Sequence, residues 1–270
     1  KSACADCKVL MGGMASATNG LKEFFEPVMK NLGGKYFDIF DYHCYGDKDG
    51  WKKCGNLATE IKKTFPGYDF DIWLSETGTL SGAIRNASGE KISKNQTEKD
   101  QAESLVKFYI YPLSKDVKKV FWAWGILEGF GEEGDTLFNK TGLIYDGQDL
   151  DDLGFGVKKL SYYTYKKMVE ALEGSDWDNI ETIQEQGGIY VYKFMKEGKP
   201  IWVAWNDNDA EKEITIFGIN SPSVKITEAV PNYETGKEVM DYNTAFPQKN
   251  QSVENGKIKI ELKDIPVFVE

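Results

Sequence analysis

The sequence holds one histidine, His43, and one arginine, Arg85, and the rest of its 33 basic residues are lysines. Lysine is a flexible point charge, whereas arginine presents the planar fork that grips phosphate, so phosphate-handling chemistry loses support. With 43 Asp and Glu the net charge is −10, which argues against a nucleic-acid partner, because a polyanion needs a dense basic face. No apolar run approaches the ~18 residues of a bilayer-spanning helix, and the first residues lack the apolar core of a signal peptide, so no membrane partner is expected. Position 1 is not methionine, so the start is read as a processed end that any targeting segment would have preceded.

Cysteine is also sparse, and Cys4, Cys7, Cys44 and Cys54 all fall in the first fifth of the chain. Cys4-Ala-Asp-Cys7 has metal or redox spacing, and His43 with Cys54 offers a zinc alternative, but the second cysteine pair is too widely spaced. Structural disulfides or buried thiols are the expected state. Four Asn-x-Ser/Thr sequons, at Asn86, Asn95, Asn139 and Asn250, would permit glycosylation, and an extracellular location is favoured.

What is present is material for a core: 270 residues, 41% hydrophobic and 13% aromatic, enough for one large domain or two smaller ones. Residues 1–175 alternate short apolar runs with amphipathic helical patterns, which predicts βα units on a parallel sheet. The strands are read at Lys8–Gly13, Tyr36–His43, Phe70–Ser75 and Val120–Trp124. Helical periodicity follows each, over Leu21–Leu32, through Leu57, Ala58, Ile61 and Phe65, from a capping box at Thr97, and from Val157 to Leu172. Thr77 to Gln96 reads as a long polar loop. Residues 176–270 change period: Gly188–Phe194 and Ile201–Asn206 alternate on either side of Glu197-Gly198, predicting a hairpin. Further strands at 214–217, 224–230, 257–262 and 267–269 predict a small antiparallel β-sandwich.

In parallel βα folds the reacting groups sit at the C-terminal ends of strands. Those ends offer His43 and Tyr45, then Glu76, then Trp122 and Trp124. A carboxylate directly after Ile72-Trp73-Leu74-Ser75 belongs either to chemistry or to an ion pair with a neighbouring loop. His43 and Tyr45 share a face at period two and can fix that carboxylate's ionisation; a lone histidine also serves structure. The two tryptophans share a face as well, and supply either a flat wall for a sugar ring or core packing. A carboxylate, a Tyr/His pair and an indole wall are what glycoside hydrolysis needs, with a second carboxyl group about 5–5.5 Å away in a retaining site. No metal or cofactor is required. The Asp-rich stretch Asp146 to Asp152 offers a calcium alternative, but it lacks the spacing of an EF-hand and reads as an exposed solvating loop.

Tyr42-His43-Cys44-Tyr45, Trp73-Leu74-Ser75-Glu76-Thr77-Gly78 and Phe121-Trp122-Ala123-Trp124, in that order, resemble strands six, seven and eight of the clan A retaining glycoside hydrolases. Gly142–Tyr145 followed by Ser161–Val169 is similar to the last barrel helix of that clan. The resemblance implies a (β/α)8 barrel in which Glu76 is the nucleophile, His43 and Tyr45 orient it, and Trp122 or, preferably, Trp124 forms the sugar platform. A β-sandwich after the barrel is common among the xylosidase-like and arabinofuranosidase-like members. The clan's acid/base is a glutamate preceded by asparagine at the end of strand four, and no Asn-Glu dipeptide occurs here. A complete barrel takes about 250 residues. The expectation is therefore a half-barrel, strands five to eight, over residues 1–175, followed by the β-sandwich over 176–270. The half-barrel is expected to be a fragment whose partner is the missing N-terminal half or a second copy, with an oligo- or polysaccharide as substrate. Glu128 and Glu132 are the nearby carboxylates that would stand in for the acid. The rival function is a non-catalytic carbohydrate-binding or surface module.

Overall fold

The computed structural model describes residues 4, 6–15, 20–33, 36–86, 88–123, 125–129 and 137–270. The N-terminal part centres on three parallel strands in the order β1 (Ile39–Tyr45), β2 (Asp71–Gly78) and β3 (Val117–Trp122). The expected first strand is an extended segment beside β1. It makes two isolated parallel bridges, Leu10 to Ile39 and Met14 to Tyr42, and no continuous ladder. On the outer side of the sheet lie α1 (Glu26–Leu32), α2 (Gly50–Thr64), α3 (Glu98–Ser114) and α4 (Leu160–Leu172). Alternation sets the two faces of the sheet. Phe40, Tyr42 and Cys44 of β1, with Ile72 and Leu74 of β2, are buried in the core with the helices, while Asp41, His43, Tyr45, Trp73 and Ser75 alternate with them.

Several element ends differ from the expected ones; β3, for one, starts at Val117 rather than Val120. β2 runs past Ser75 to Gly78, because Thr77 is fully buried and its hydroxyl donates to the Cys44 carbonyl at 2.8 Å, so Glu76 stands inside the strand. α4 starts at Leu160, three residues after Val157. Residues 77–96 are not a featureless loop: Gly82 bridges Gln96, and the Gln96 side chain donates to Thr79 Oγ1 at 2.9 Å and the Leu80 carbonyl at 2.7 Å. The α3 capping box is formed, with the Thr97 hydroxyl accepting from the Asp100 backbone and Asp100 accepting from Thr97 N–H. Glu98 beside it is buried and binds three segments, accepting from Tyr145 O–H, Leu160 N–H and Gly236 N–H at 2.9, 2.7 and 2.7 Å.

After α4 the chain forms a six-stranded sheet in the order β4 (Glu181–Gln186), β5 (Ile189–Lys196), β6 (Lys199–Asn206), β11 (Val267–Val269), β8 (Ser223–Glu228) and β9 (Gln248–Ser252). Every neighbouring pair in it is antiparallel. The β5–β6 hairpin turns at Glu197-Gly198, both with positive φ, the backbone of a two-residue hairpin loop. One face of the sheet, Ile189, Val191, Trp202, Ala204 and Val269, packs with β7 (Lys212–Phe217) and its partner β10 (Lys257–Leu262). The opposite face, Tyr192, Phe194, Val203, Trp205 and Phe268, belongs to the same core as the helices and β1–β2. Trp51 of α2 is the hub there, edge-on to Tyr111 of α3 at 4.9 Å, Tyr190 at 5.0 Å and Trp205 at 5.5 Å.

The four cysteines pair as Cys4–Cys7 and Cys44–Cys54. The zinc alternative is thereby corrected, since its thiols are consumed as disulfides, and Cys44–Cys54 ties β1 to α2. Among the described residues no helix is long and apolar enough to cross a membrane.

Candidate active site

β1 and β2 run in parallel with His43 opposite Glu76, and the pairings of β2 with β1 and with β3 both shift register there, past Ser75. Tyr45 lies two residues beyond His43 on the same face. The result converges on one oxygen: Tyr45 O–H donates to Glu76 Oε2 at 2.9 Å, and His43 Nδ1 lies 3.1 Å from that same atom. The side chains stay part-exposed, His43 at 22% and Glu76 at 28%, so the group opens to the face of the sheet away from the helices.

Behind the imidazole stands Asp41, which no sequence pattern marks. Its Oδ2 is 3.9 Å from His43 Nε2 and accepts the Ser75 hydroxyl at 2.8 Å, while Oδ1 accepts the Ser75 N–H at 3.3 Å. Burial raises the Asp41 carboxyl above its usual range, and the Ser75 bonds and His43 act against that rise. The histidine is thus held between two carboxylates. Gly13 of the bridged segment makes room for it, since a Cβ there would collide with His43 Nε2.

Trp122 is not brought to this group by its contacts. Its ring packs edge-on against Phe108 of α3 at 6.2 Å, its Nε1–H donates to the Thr141 carbonyl at 2.8 Å, and its N–H donates to Tyr109 Oη at 3.1 Å. Trp124 lies outside the described residues, as does Glu132. Among the described residues Phe138, from a 3-10 turn over Phe138–Lys140, touches the site, edge-on to Tyr45 at 5.2 Å. Further down the same face Trp73 and Phe121 are 6.0 Å apart, with Lys119 Nζ 4.5 Å from the Trp73 ring. No sequence pattern marks Phe138, because a loop residue has no periodicity to read.

Glu128 is a poor substitute acid. It is 5% exposed and ion-paired to Lys159, with burial pushing its carboxyl up to about 7. The arrangement as it stands can present one oriented carboxylate to an electrophilic carbon on an open surface.

No family model matches the sequence, and comparison with curated proteins finds no match. Solved structures do share the fold. A GH51 arabinofuranosidase from Xanthomonas axonopodis pv. citri aligns over 98% of this chain with a TM-score of 0.62 and 11% identity. A GH30 endoxylanase from Clostridium papyrosolvens C71 aligns over all of it (0.55, 12%), and a GH39 beta-xylosidase from Caulobacter crescentus over 97% (0.53, 14%). The chain spans only 59%, 57% and 56% of those three chains. At such identities the likeness is one of fold: an α/β unit and an antiparallel sheet arranged as in about three-fifths of these glycoside hydrolases.

Proposed function

We propose that this chain carries the nucleophile half of a retaining glycoside hydrolase site, with Glu76 attacking the anomeric carbon of an oligo- or polysaccharide. The observation that carries this reading is the double contact on Glu76 Oε2. The Tyr45 hydroxyl bond and the imidazole 3.1 Å away restrain the carboxylate's rotation from one side, and Oε1 is left as the attacking atom. The bond from Oε1 to the anomeric carbon forms as the glycosidic C–O bond breaks, its electron pair leaving on the departing oxygen. Water then attacks the same carbon, gives up a proton and releases Glu76.

The departing oxygen needs a proton in the first step. Among the described residues Asp41 lies behind the imidazole and Glu128 is buried against Lys159, and we assign the acid/base to a complementary segment outside this chain. That segment, the N-terminal half of the same fold, would cover the open sheet face where Phe121 is 44% exposed, and the apolar groove of Ile126, Leu143, Tyr162, Tyr165 and Val169. We place Trp124 and Phe138 as the aromatic walls of the sugar site, and the two disulfides favour an extracellular setting.

Incubating the chain with a panel of activated fluorinated glycosides and reading intact mass tests the proposal. The expected result is a covalent glycosyl adduct mapped to Glu76 and absent in Glu76→Gln, with slow release from aryl glycosides and no turnover of unactivated oligosaccharides. An adduct on another residue, or reversible oligosaccharide binding by the folded chain with no adduct on any member of the panel, would overturn it; the latter favours a binding module.

A further inference from the structure

Beyond β3 three carboxylates converge: Glu128, Asp146 and Asp152 each place an oxygen within 4.8 Å of the other two. Asp146 is 8% exposed and Glu128 5%, so this end of the Asp146–Asp152 stretch is not the solvating loop expected of it. Charges nearby are accounted for pair by pair. Lys159 is bonded to Glu128, Lys140 lies 3.2 Å from Asp149, and Arg85 grips Asp151 at 3.0 Å. Among the described residues neither Asp146 nor Asp152 has a cationic partner, although they are neighbours and one is buried.

Each carboxylate accepts a hydrogen bond from outside the cluster, and Asp146 and Asp152 also hydrogen-bond each other. Glu128 Oε1 accepts from Lys159, Asp146 Oδ1 from Gln148 N–H at 3.0 Å, and Asp152 Oδ2 from Gly147 and Asp149 N–H at 2.8 and 3.3 Å. The other Glu128 oxygen, Oε2, is fully buried and has no hydrogen-bond partner, on a side chain only 1% exposed. A buried carboxylate oxygen with no donor is costly unless a cation satisfies it. Asp146 Oδ2 in turn sits so close to Gly129 that a Cβ there would strike it; only glycine, here at φ +93°, lets the strand-end segment and the aspartate approach.

We infer that Glu128, Asp146 and Asp152 form a structural divalent-cation site of the calcium type, which pins the segment after β3 to the loop before α4. The donors are oxygen only, which suits a hard cation, and water would complete a shell of six to eight. Two carboxylates with no cationic partner among the described residues match its charge. The inference is independent of any chemistry at Glu76.

Calorimetric titration of the EDTA-treated chain with CaCl2, with terbium luminescence as a second readout, tests it. One ion per chain is expected, with a rise in Tm on addition of calcium. Asp152→Asn, at the part-exposed member, should weaken binding at least tenfold and abolish that rise while leaving the circular dichroism unchanged. Asp146→Asn should act in the same direction, and if it fails to fold, Asp152→Asn alone decides. Absence of saturable calcium or terbium binding at millimolar concentration by the folded chain would overturn the inference, as would binding that Asp152→Asn leaves unchanged.

Discussion

A hydrogen bond to a charged group is worth about 1.5–3 kcal/mol, and Tyr45 spends its hydroxyl on Glu76 Oε2 alone among the described carboxylates. Tyr45→Phe should therefore slow glycosyl-adduct formation roughly ten- to hundredfold with little change in Tm. An unchanged rate in stopped mass-spectrometric time courses would make the tyrosine a bystander. His43 and Tyr45 are legible in the sequence because alternation puts them on one face near the end of β1; Glu76 is legible as a carboxylate after an apolar run, but the register shift that sets it opposite His43 inside β2 is not. Asp41 and Ser75 are not, because their relation is lateral: the carboxylate meets Ser75 only once β1 and β2 are in register, 34 residues apart in the chain. Gly13 is a subtler case. Its glycine reads as a strand stop, whereas its physical duty is to leave room for an imidazole.

At the level of elements, legibility followed burial. β10 and β11 lie where their alternation predicts, and both turn a full apolar row inward. β4 and β9 carry no strand pattern in the sequence because they are the two edges of the large sheet, and apart from Ile183 the segments Glu181–Gln186 and Gln248–Ser252 are polar. Polar edges of this sort resist pairing with another chain, which is a reason for them to look unlike strands. The Thr97 capping box was readable from four residues, since its donors and acceptors are local. Thr97→Ala removes the acceptor for Asp100 N–H, and the loss in urea unfolding should be about 1 kcal/mol. A loss within error would mean that the Asp100 side chain already suffices at that terminus.

The whole molecule adds a term that no single element shows. Glu103 of α3 is buried where the antiparallel sheet's connecting loop brings Asp264 against it; burial first, then Asp264, push its carboxyl up to about 7, against Lys107 and with Asp100. The folded state thus holds a proton that the unfolded chain has lost above about pH 4.5. The contribution is present in full below that pH and disappears as pH rises through 7, an effect of up to about 3 kcal/mol. Glu103→Gln should flatten the stability curve between pH 5 and 8 relative to the parent; an identical slope in both proteins would rule the residue out as its source. The same shared interior bears on descent. Trp51 is walled by an α3 tyrosine on one side and by Tyr190 and Trp205 on another. A C-terminal portion moulded around a foreign indole is no freely shuffled cassette, and any ancestor that swapped it would have had to inherit both sides of that socket together.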